Sequence, residues 1–272
     1  MRYKIILSYN GAPFCGWQRQ PGAPSVQETL ENALYTLLGE PVGVTGAGRT
    51  DTGVSAAGYV AHFEAPAELD AAWLRCKLNA ILPPSIAVHG ISPAKDNFHA
   101  RFDAGRREYT YFLHRCKDPF ADGWSFHFAY PSTDFGLMNE AAALLAGKHD
   151  FSCFQKSGSD NKTTVCTVFE AGWHPYTPTH AAILGGYPAA SGQDYWYFRI
   201  AADRFLRNMV RAVVGTLLEV GRGKRPLAAS AAAPGCTIAP FDTLLDGGPR
   251  TASGESAPGH ALFLSRIEYP EI

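Results

Sequence analysis

The chain has 272 residues, of which 46% are hydrophobic and 18% charged, and its formal net charge at pH 7 is −1. This composition is that of a globular protein with a sizeable core, and the length allows one large domain or two small ones. The near-zero charge argues against a uniformly basic nucleic-acid binder. Two stretches are nevertheless locally basic, residues 101–117 and residues 204–225.

Nothing in the sequence predicts a membrane or secreted protein. No apolar run is long enough to span a bilayer, and residues 1–9 have neither the apolar length nor the cleavage site of a signal peptide. We therefore expect a soluble cytoplasmic protein. The six cysteines are scattered without the close spacing of a zinc knuckle or redox motif. They are predicted to be reduced, buried thiols, and no metal site is expected.

The first half of the chain has the pattern of a small α+β unit. Apolar and polar residues alternate over 3–9, which predicts a half-buried strand. Ser25 and Glu28 form a capping box that opens a helix, and Gly39 with Pro41 ends it. The other predicted elements here are strands near 42–48, 57–64 and 86–92 and a helix over 69–81. The order βαββαβ is typical of a ferredoxin-like unit.

The second half repeats this order without visible sequence identity. Its predicted elements are strands over 107–115, 163–173, 194–201 and 261–269 and helices over 135–146 and 206–220. A Pro/Gly-rich loop separates the second and third strands, and residues 225–260 form an irregular excursion. Two such units can join their sheets edge to edge, which covers an exposed edge on each. The predicted fold is therefore α+β, with two ferredoxin-like units, one extended mostly antiparallel sheet and an active-site groove between the units.

The segment 46–54, Gly-Ala-Gly-Arg-Thr-Asp-Thr-Gly-Val, is the most informative in the chain. Its three glycines permit tight backbone paths and close approach of a ligand. It is not a P-loop, because Lys-Ser/Thr is missing, and it is not a dinucleotide fingerprint. On its own the pattern favours an Asp51 that hydrogen-bonds within its own turn. A catalytic carboxylate is the alternative.

Residues 48–54 resemble the active-site motif of the tRNA pseudouridine synthase A family. The resemblance covers nearly the whole chain, because further matches follow in order at residues 9–20, 25–28, 98–102 (FHARF), 107–111, 149–154, 205–215 and 257–264. One such motif would be weak, whereas all of them in order are specific. Three positions depart from the family pattern. Ser55 replaces the usual histidine, which puts an RNA contact there in doubt, Thr52 replaces a common alanine, and Cys153 replaces the usual serine.

The resemblance implies isomerisation of uridine to pseudouridine at nucleotides 38–40, in the anticodon arm of tRNA. It also implies a homodimer that needs no metal, nucleotide or redox cofactor, with Asp51 as the nucleophile. The uracil must leave C1′ of its ribose, turn over and reattach through C5. A carboxylate can stabilise positive charge at C1′ or form a covalent adduct. One carboxylate suffices, because uracil leaves as a delocalised anion and the pocket must exclude water.

The resemblance further implies substrate-binding roles for Tyr109, Arg49 and Arg211. The ring of Tyr109 would lie against the uracil, and Arg211 would pair with the nucleophile. Arg49 would contact a phosphate or fill the space of the nucleotide, which must be flipped out of the stem to be reached. Sheet packing is the alternative for Tyr109, and a solvent-facing helix position is the alternative for Arg211. The predicted domains are 1–103, with the nucleophile, and 104–272, with Tyr109 and Arg211.

Three other interpretations were weighed. A non-catalytic tRNA-binding or tRNA-folding protein on the same fold would be marked by loss of Asp51, Tyr109 or Arg211, and all three are present. A glycoside or nucleoside hydrolase would need a second carboxylate as partner of Asp51, and the matched motifs assign no such partner acid. A purely structural protein leaves the motifs unexplained. For the isomerase, attack of Asp51 at C1′, addition to C6 and elimination to a glycal all stay open.

Overall fold

The computed structural model describes residues 1–159, 161–184, 194–231 and 236–270. It divides into two compact units, Met1–Arg107 with the residues from Phe263 onward, and Glu108–Leu262. The described strands form a mostly antiparallel sheet accompanied by α-helices, so the predicted α+β fold class is confirmed. In the part of the chain that the structure describes, no helix has the length and hydropathy to cross a membrane.

The first unit has the βαββαβ order that the sequence predicts. Its elements are β1 (Arg2–Tyr9), α1 (Val26–Leu38), β2 (Val44–Gly46), β3 (Ser55–Glu64), α2 (Ala71–Ile81) and β4 (Ile86–Pro93). β1 pairs antiparallel with both β3 and β4, and β2 pairs antiparallel with β3. Every second side chain of β1 is buried, because successive residues of a strand point to opposite faces.

The helix caps of this unit follow from local chemistry. The Ser25 hydroxyl accepts a hydrogen bond from the Glu28 backbone N–H at 3.3 Å, which confirms the predicted start of α1. The Glu28 carboxylate forms an ion pair with Arg19 at 3.3 Å. Gly39 ends the helix in the left-handed conformation with φ 80°, which costs glycine no Cβ clash.

The second unit contains the predicted elements and several short ones. In chain order they are β5 (Arg106–His114), β6 (Phe126–His127), α3 (Phe135–Ala143), β7 (Gly147–Asp150), β8 (Val165–Pro175), α4 (Thr179–Leu184), β9 (Tyr195–Ala202) and α5 (Met209–Gly221). β8 pairs antiparallel with β7 and β9. The last strand, β10 (Leu262–Glu268), is predicted as part of the second half of the chain, but from Phe263 onward it belongs to the first unit, where it runs parallel to β3.

Two predicted loops fall partly outside the described residues. The Pro/Gly-rich loop contains α4 in its described part, whereas residues 185–193 lie beyond it. The excursion over 225–260 contains only short 3-10 turns where it is described, and residues 232–235 are not described. The described parts of this excursion therefore agree with the predicted irregular structure.

α5 is the most buried helix of the second unit. It packs against α3, where the Asp134 N–H donates to the Gly221 carbonyl at 2.8 Å. A Cβ at Gly221 would collide with Met138, and a Cβ at Gly215 would collide with the Glu255 backbone. The two glycines therefore let α3 and the segment before β10 approach the helix backbone.

Burial of the cysteines is only partly as predicted. Cys153 and Cys166 are buried, and burial raises the pKa of the Cys166 thiol to about 12. Cys76 and Cys236 are exposed, so the prediction of buried thiols is wrong for these two. Cys76 lies on α2 two residues from each of its buried positions, Leu74 and Leu78, which places it on the opposite face.

A buried carboxylate organises the second unit beside β9. The Asp118 side chain has no exposed surface and accepts hydrogen bonds from His180 at 2.7 Å, Tyr195 at 2.8 Å and the Phe120 N–H at 2.9 Å. Burial raises its pKa, but these three hydrogen bonds outweigh burial and lower the pKa of Asp118 to about 2. The folded state therefore favours the charged carboxylate.

We expect Asp118→Asn to lower the free energy of unfolding by about 1–2 kcal/mol at pH 7. The depressed pKa of Asp118 contributes stability above about pH 4, and that contribution is lost as the pH falls through about 2. The difference between wild type and variant should therefore shrink over this window in denaturant titrations. Asp122→Asn, at an exposed neighbouring position, is the matched control. A pH-independent difference would contradict the assignment.

Candidate active site

The segment 46–54 connects β2 to β3 and is held by two tyrosine hydroxyls. It is called the nucleophile loop here, after the role that the sequence predicts for Asp51. The Tyr59 hydroxyl accepts from the Gly48 N–H at 3.2 Å and donates to the Gly48 carbonyl. The Tyr9 hydroxyl shares a hydrogen bond of 2.9 Å with the Thr50 hydroxyl. The backbone immediately before Asp51 is thus fixed by side chains from β1 and β3.

These tyrosines belong to an aromatic cluster next to the loop. Trp17 stacks on Tyr59 with ring centroids 4.2 Å apart, and Tyr9 meets Tyr59 edge-on at 5.6 Å. All three side chains are buried. Buried aromatic rings move little, so the aromatic cluster gives the loop a rigid support. Tyr9 and Trp17 stand in matched segments of the sequence, whereas Tyr59 has no signal beyond its strand pattern.

Glycines bring the segment after β1 against the same loop. Gly16 has φ 97°, and a Cβ there would collide with the Thr50 carbonyl. A Cβ at Gly11 would collide with the Val54 carbonyl. The Trp17 N–H donates to the Thr50 carbonyl at 3.3 Å, and the Gly53 N–H donates to the Phe14 carbonyl at 3.2 Å. Backbone hydrogen bonds therefore hold the loop on both sides of Asp51, at Thr50 and at Gly53.

Ser55, the departure from the family pattern, is an internal residue. Its side chain is buried, and its hydroxyl accepts from the Gly11 N–H at 3.0 Å. The serine therefore helps to hold the segment after β1 against the nucleophile loop. Of the two other departures, Thr52 is exposed and Cys153 is buried.

Asp51 and Arg49 lie together in this loop. Asp51 is half-buried, and its carbonyl accepts from the Val54 N–H at 3.1 Å, which closes a turn. Arg49 is exposed, and its Nε donates to Gln18 Oε1 at 3.2 Å. Gln18 donates in turn to Gln27 Oε1 at 3.0 Å, on α1. This glutamine pair orients Arg49. Both glutamines lie in segments that match the family, 9–20 and 25–28, although neither is predicted as a site residue.

Tyr109 lies in the second unit, on β5. Its side chain is 9% exposed, and its ring meets Phe205 edge-on with centroids 5.0 Å apart and an angle of 87°. Phe205 stands just before α5, within a matched segment. Edge-on contact between rings is an arrangement that packing and base stacking both use.

Arg211 lies in the first turn of α5 and is half-buried. Its Nε donates to the Ala257 carbonyl at 2.7 Å, and the Ala257 N–H donates to the Arg211 carbonyl at 2.9 Å. Burial raises the pKa of Tyr111, and the positive charge of Arg211 partly opposes this. The guanidinium therefore lies near β5 and does not point freely into solvent. No cluster of His, Cys, Asp and Glu suited to a metal ion occurs among the described residues.

Comparison with known proteins identifies the family. A family model described as tRNA pseudouridine synthase matches residues 5–103 and 141–270. The chain belongs to this family. It is 46% identical over 271 residues to tRNA pseudouridine synthase A of Porphyromonas gingivalis, covering 99% of this chain and 97% of that protein. The Bacteroides thetaiotaomicron protein of the same name is 44% identical, with 99% and 91% covered. The Bacillus subtilis one is 38% identical, with 99% of both covered.

The predicted family is thus confirmed. The family isomerises uridine to pseudouridine in tRNA, and this chain is an isomerase that acts on tRNA. The enzymatic reaction expected from the sequence is confirmed at this level.

Proposed function

We propose that this protein isomerises uridines at nucleotides 38–40 of the tRNA anticodon arm, with Asp51 as nucleophile. The observation that carries the proposal is the fixed, half-buried turn from which Asp51 is presented. Hydrogen bonds at Gly48 and Thr50 precede the carboxylate, and a further one at Gly53 follows it. A group that must meet one carbon atom of a substrate benefits from such a preorganised backbone.

The reaction needs one carboxylate and no added reactant. The bond from N1 of uracil to C1′ breaks, and the base leaves as an anion. C5 then bonds to C1′, the hydrogen on C5 leaves as a proton, and N1 gains a proton. A carboxylate stabilises the positive charge at C1′ or carries the sugar covalently between the two steps. Water must be kept from C1′, because its attack would give hydrolysis instead.

Arg49 is proposed to bind the RNA while the target nucleotide is flipped out of the stem. Chemistry at C1′ and C5 requires this extrusion. The hydrogen bond from Arg49 Nε to Gln18 fixes the guanidinium at one edge on an exposed loop. A guanidinium held in this way is suited to a phosphate oxygen, because its fork of donors matches phosphate geometry.

Tyr109 and Arg211 are proposed as further substrate-binding residues. The Tyr109 ring, which meets Phe205 edge-on, is the proposed stacking partner of the uracil ring. The hydrogen bonds between Arg211 and Ala257 hold the arginine in one orientation. These properties support the roles that the resemblance implies. The enzyme is proposed to work in the cytoplasm without a metal or small-molecule cofactor.

The second candidate is a tRNA-binding or tRNA-folding protein that has lost catalysis. The presence of Asp51, Tyr109 and Arg211 favours the enzyme. Release of tritium from tRNA labelled at C5 of uridine separates the two, because isomerisation must expel that hydrogen and binding need not.

We expect Asp51→Asn to abolish tritium release while leaving tRNA affinity nearly unchanged. The amide cannot stabilise positive charge or form the covalent adduct, whereas affinity comes mostly from phosphate contacts. Asp96→Asn, an exposed carboxylate elsewhere in the first unit, is the control and should keep wild-type turnover. Near-normal turnover of Asp51→Asn would refute its role as nucleophile.

We expect Tyr109→Phe to keep most activity if only the ring acts, because stacking needs no hydroxyl. A loss of about 10²–10⁴-fold in kcat would instead assign the C5 proton transfer to the hydroxyl. Tyr35→Phe, an exposed tyrosine of α1, controls for the substitution itself. Full activity of Tyr109→Ala would show that the residue only packs in the sheet.

We also propose that the enzyme is a homodimer. One near-neutral subunit would hold the many phosphates of a tRNA weakly at physiological salt, whereas a second subunit adds further basic surface. We expect a dimer in sizing chromatography, with affinity that falls steeply as salt rises. Arg101→Gln and Arg207→Gln, at exposed positions, should each flatten that slope, and Lys77→Gln on α2 should not. A fully active monomer would rule the dimer out.

A further inference from the structure

A phenylalanine is displayed on the surface by one of the matched motifs. Phe102 of the FHARF segment is 73% exposed. A lone exposed apolar residue is ordinary on a protein surface. The surroundings of Phe102 are not ordinary, because the loop that carries it, residues 98–104, is fixed at nearly every residue.

The inner side of the 98–104 loop is hydrogen-bonded to a buried and a half-buried residue of the first unit, His62 and Tyr269. The Ala100 N–H donates to His62 Nδ1 at 3.1 Å, and the Tyr269 hydroxyl donates to the Ala100 carbonyl at 2.6 Å. Burial, followed by the charges of His99 and Arg2, lowers the pKa of His62. The neutral ring is the form that can accept this bond.

The outer side of the loop is closed around His99. The N–H groups of Arg101 and Phe102 point at His99 Nδ1, at 3.2 and 3.3 Å. The His99 N–H donates to Asp103 Oδ2 at 2.8 Å, and the Asp103 N–H returns to the His99 carbonyl at 3.0 Å. The exposed ring is therefore held by an ordered turn.

The same loop is connected to the nucleophile loop. Arg107 Nη2 donates to the Arg101 carbonyl at 2.6 Å and to the Ala47 carbonyl at 3.1 Å. Arg107 Nη1 donates to the Ala104 carbonyl at 3.2 Å. One guanidinium thus sets the position of the loop that carries Phe102 relative to the loop that carries Asp51.

The chemistry around Phe102 suits a nucleotide. Its ring lies against His99 with centroids 4.2 Å apart, and the Arg101 guanidinium lies 5.6 Å from its centroid. Among the described residues Arg101 has no carboxylate partner, so its charge can meet a phosphate. The other exposed large apolar residues of this unit lie at Met1 and on α1 and α2, not in this loop. A single ring beside a cation fits one base better than a protein interface, whose core is a contiguous apolar patch.

We propose that Phe102 stacks on the nucleobase that neighbours the target uridine, with Arg101 at the adjoining phosphate. The proposal rests on the proposed function, since extrusion of the target uridine leaves the neighbouring base without a stacking partner. The ring of Phe102 replaces that partner and stabilises the extruded state. Stacking on an aromatic side chain is tolerant of sequence, because every base has a π face.

The test uses full-length protein and an anticodon-arm RNA with 2-aminopurine on either side of the target uridine. Phe102→Leu keeps an apolar side chain without a π face, and Phe102→Trp restores one. Phe120→Leu, at a 62% exposed position in the second unit, is the matched control. Tritium release gives kcat/KM, 2-aminopurine fluorescence reports stacking, and a salt titration reports phosphate contacts.

We expect Phe102→Leu to lower kcat/KM by about 5- to 150-fold, the range for loss of one stacked base. In Phe102→Leu the quenching of one 2-aminopurine should be lost, whereas the thermal unfolding midpoint and the salt slope should not change. Phe102→Trp should restore both kcat/KM and the quenching. Arg101→Gln should reduce the salt slope by about one. Phe120→Leu should behave as wild type.

The proposal would be overturned if Phe102→Leu kept the kcat/KM and the quenching of wild type. It would also be overturned if Phe102→Leu lost activity and Phe102→Trp did not restore it. Failure of the proposed function has a different signature, namely RNA binding by wild type without tritium release. In that case the 2-aminopurine fluorescence still tests the stacking role of Phe102. Quenching by wild type but not by Phe102→Leu supports the stacking role, and equal fluorescence refutes it.

Discussion

The candidate active site depends on the attachment of one loop to the aromatic residues beneath it. The eight-residue connection 47–54 between two strands would otherwise have a conformational freedom that is incompatible with the role proposed for Asp51. The hydroxyls of Tyr59 and Tyr9 bind the loop at Gly48 and Thr50, and both rings are locked by Trp17. Each tyrosine is apolar in the core and polar at its tip, which lets a buried ring hold a surface loop.

The 98–104 loop is held in a similar way, by ring side chains that hydrogen-bond to it. Here imidazole nitrogens replace phenol oxygens, since His62 and His99 accept backbone N–H groups that the turn would otherwise leave unpaired. Arg107 then joins the two loops through carbonyl oxygens alone. Because these bonds go to backbone atoms, they leave the side chains of Arg101 and Phe102 exposed.

The sequence predicts the fold well where patterns are long. The alternation in β1 and the apolar run of α5 extend over several pleats or turns, and a capping box marks the start of α1, so these patterns give the correct elements. β6 has two residues, β7 four and α4 six, which is too short for a period to be recognised.

The site is less predictable from residues alone. The local pattern around Asp51 favours a turn, and a turn is what its carbonyl forms with Val54. The pattern cannot distinguish that from a catalytic position, because a nucleophile on a tight loop satisfies both descriptions. The roles of Tyr59 and Gln18 escape prediction because their contacts form only in the folded chain. Tyr59 meets Gly48 where β2 pairs with β3, and Gln18 meets Arg49, which is 31 residues away in sequence.

The place of β10 has a consequence for the order in which the protein is made. Phe263 and Leu264 pair with Ser55 and Ala56, the residues that directly follow the nucleophile loop. The ribosome releases them only after the whole second unit has been synthesised, so the first unit lacks this strand during most of translation. A nascent or prematurely terminated chain therefore has an incomplete support for Asp51.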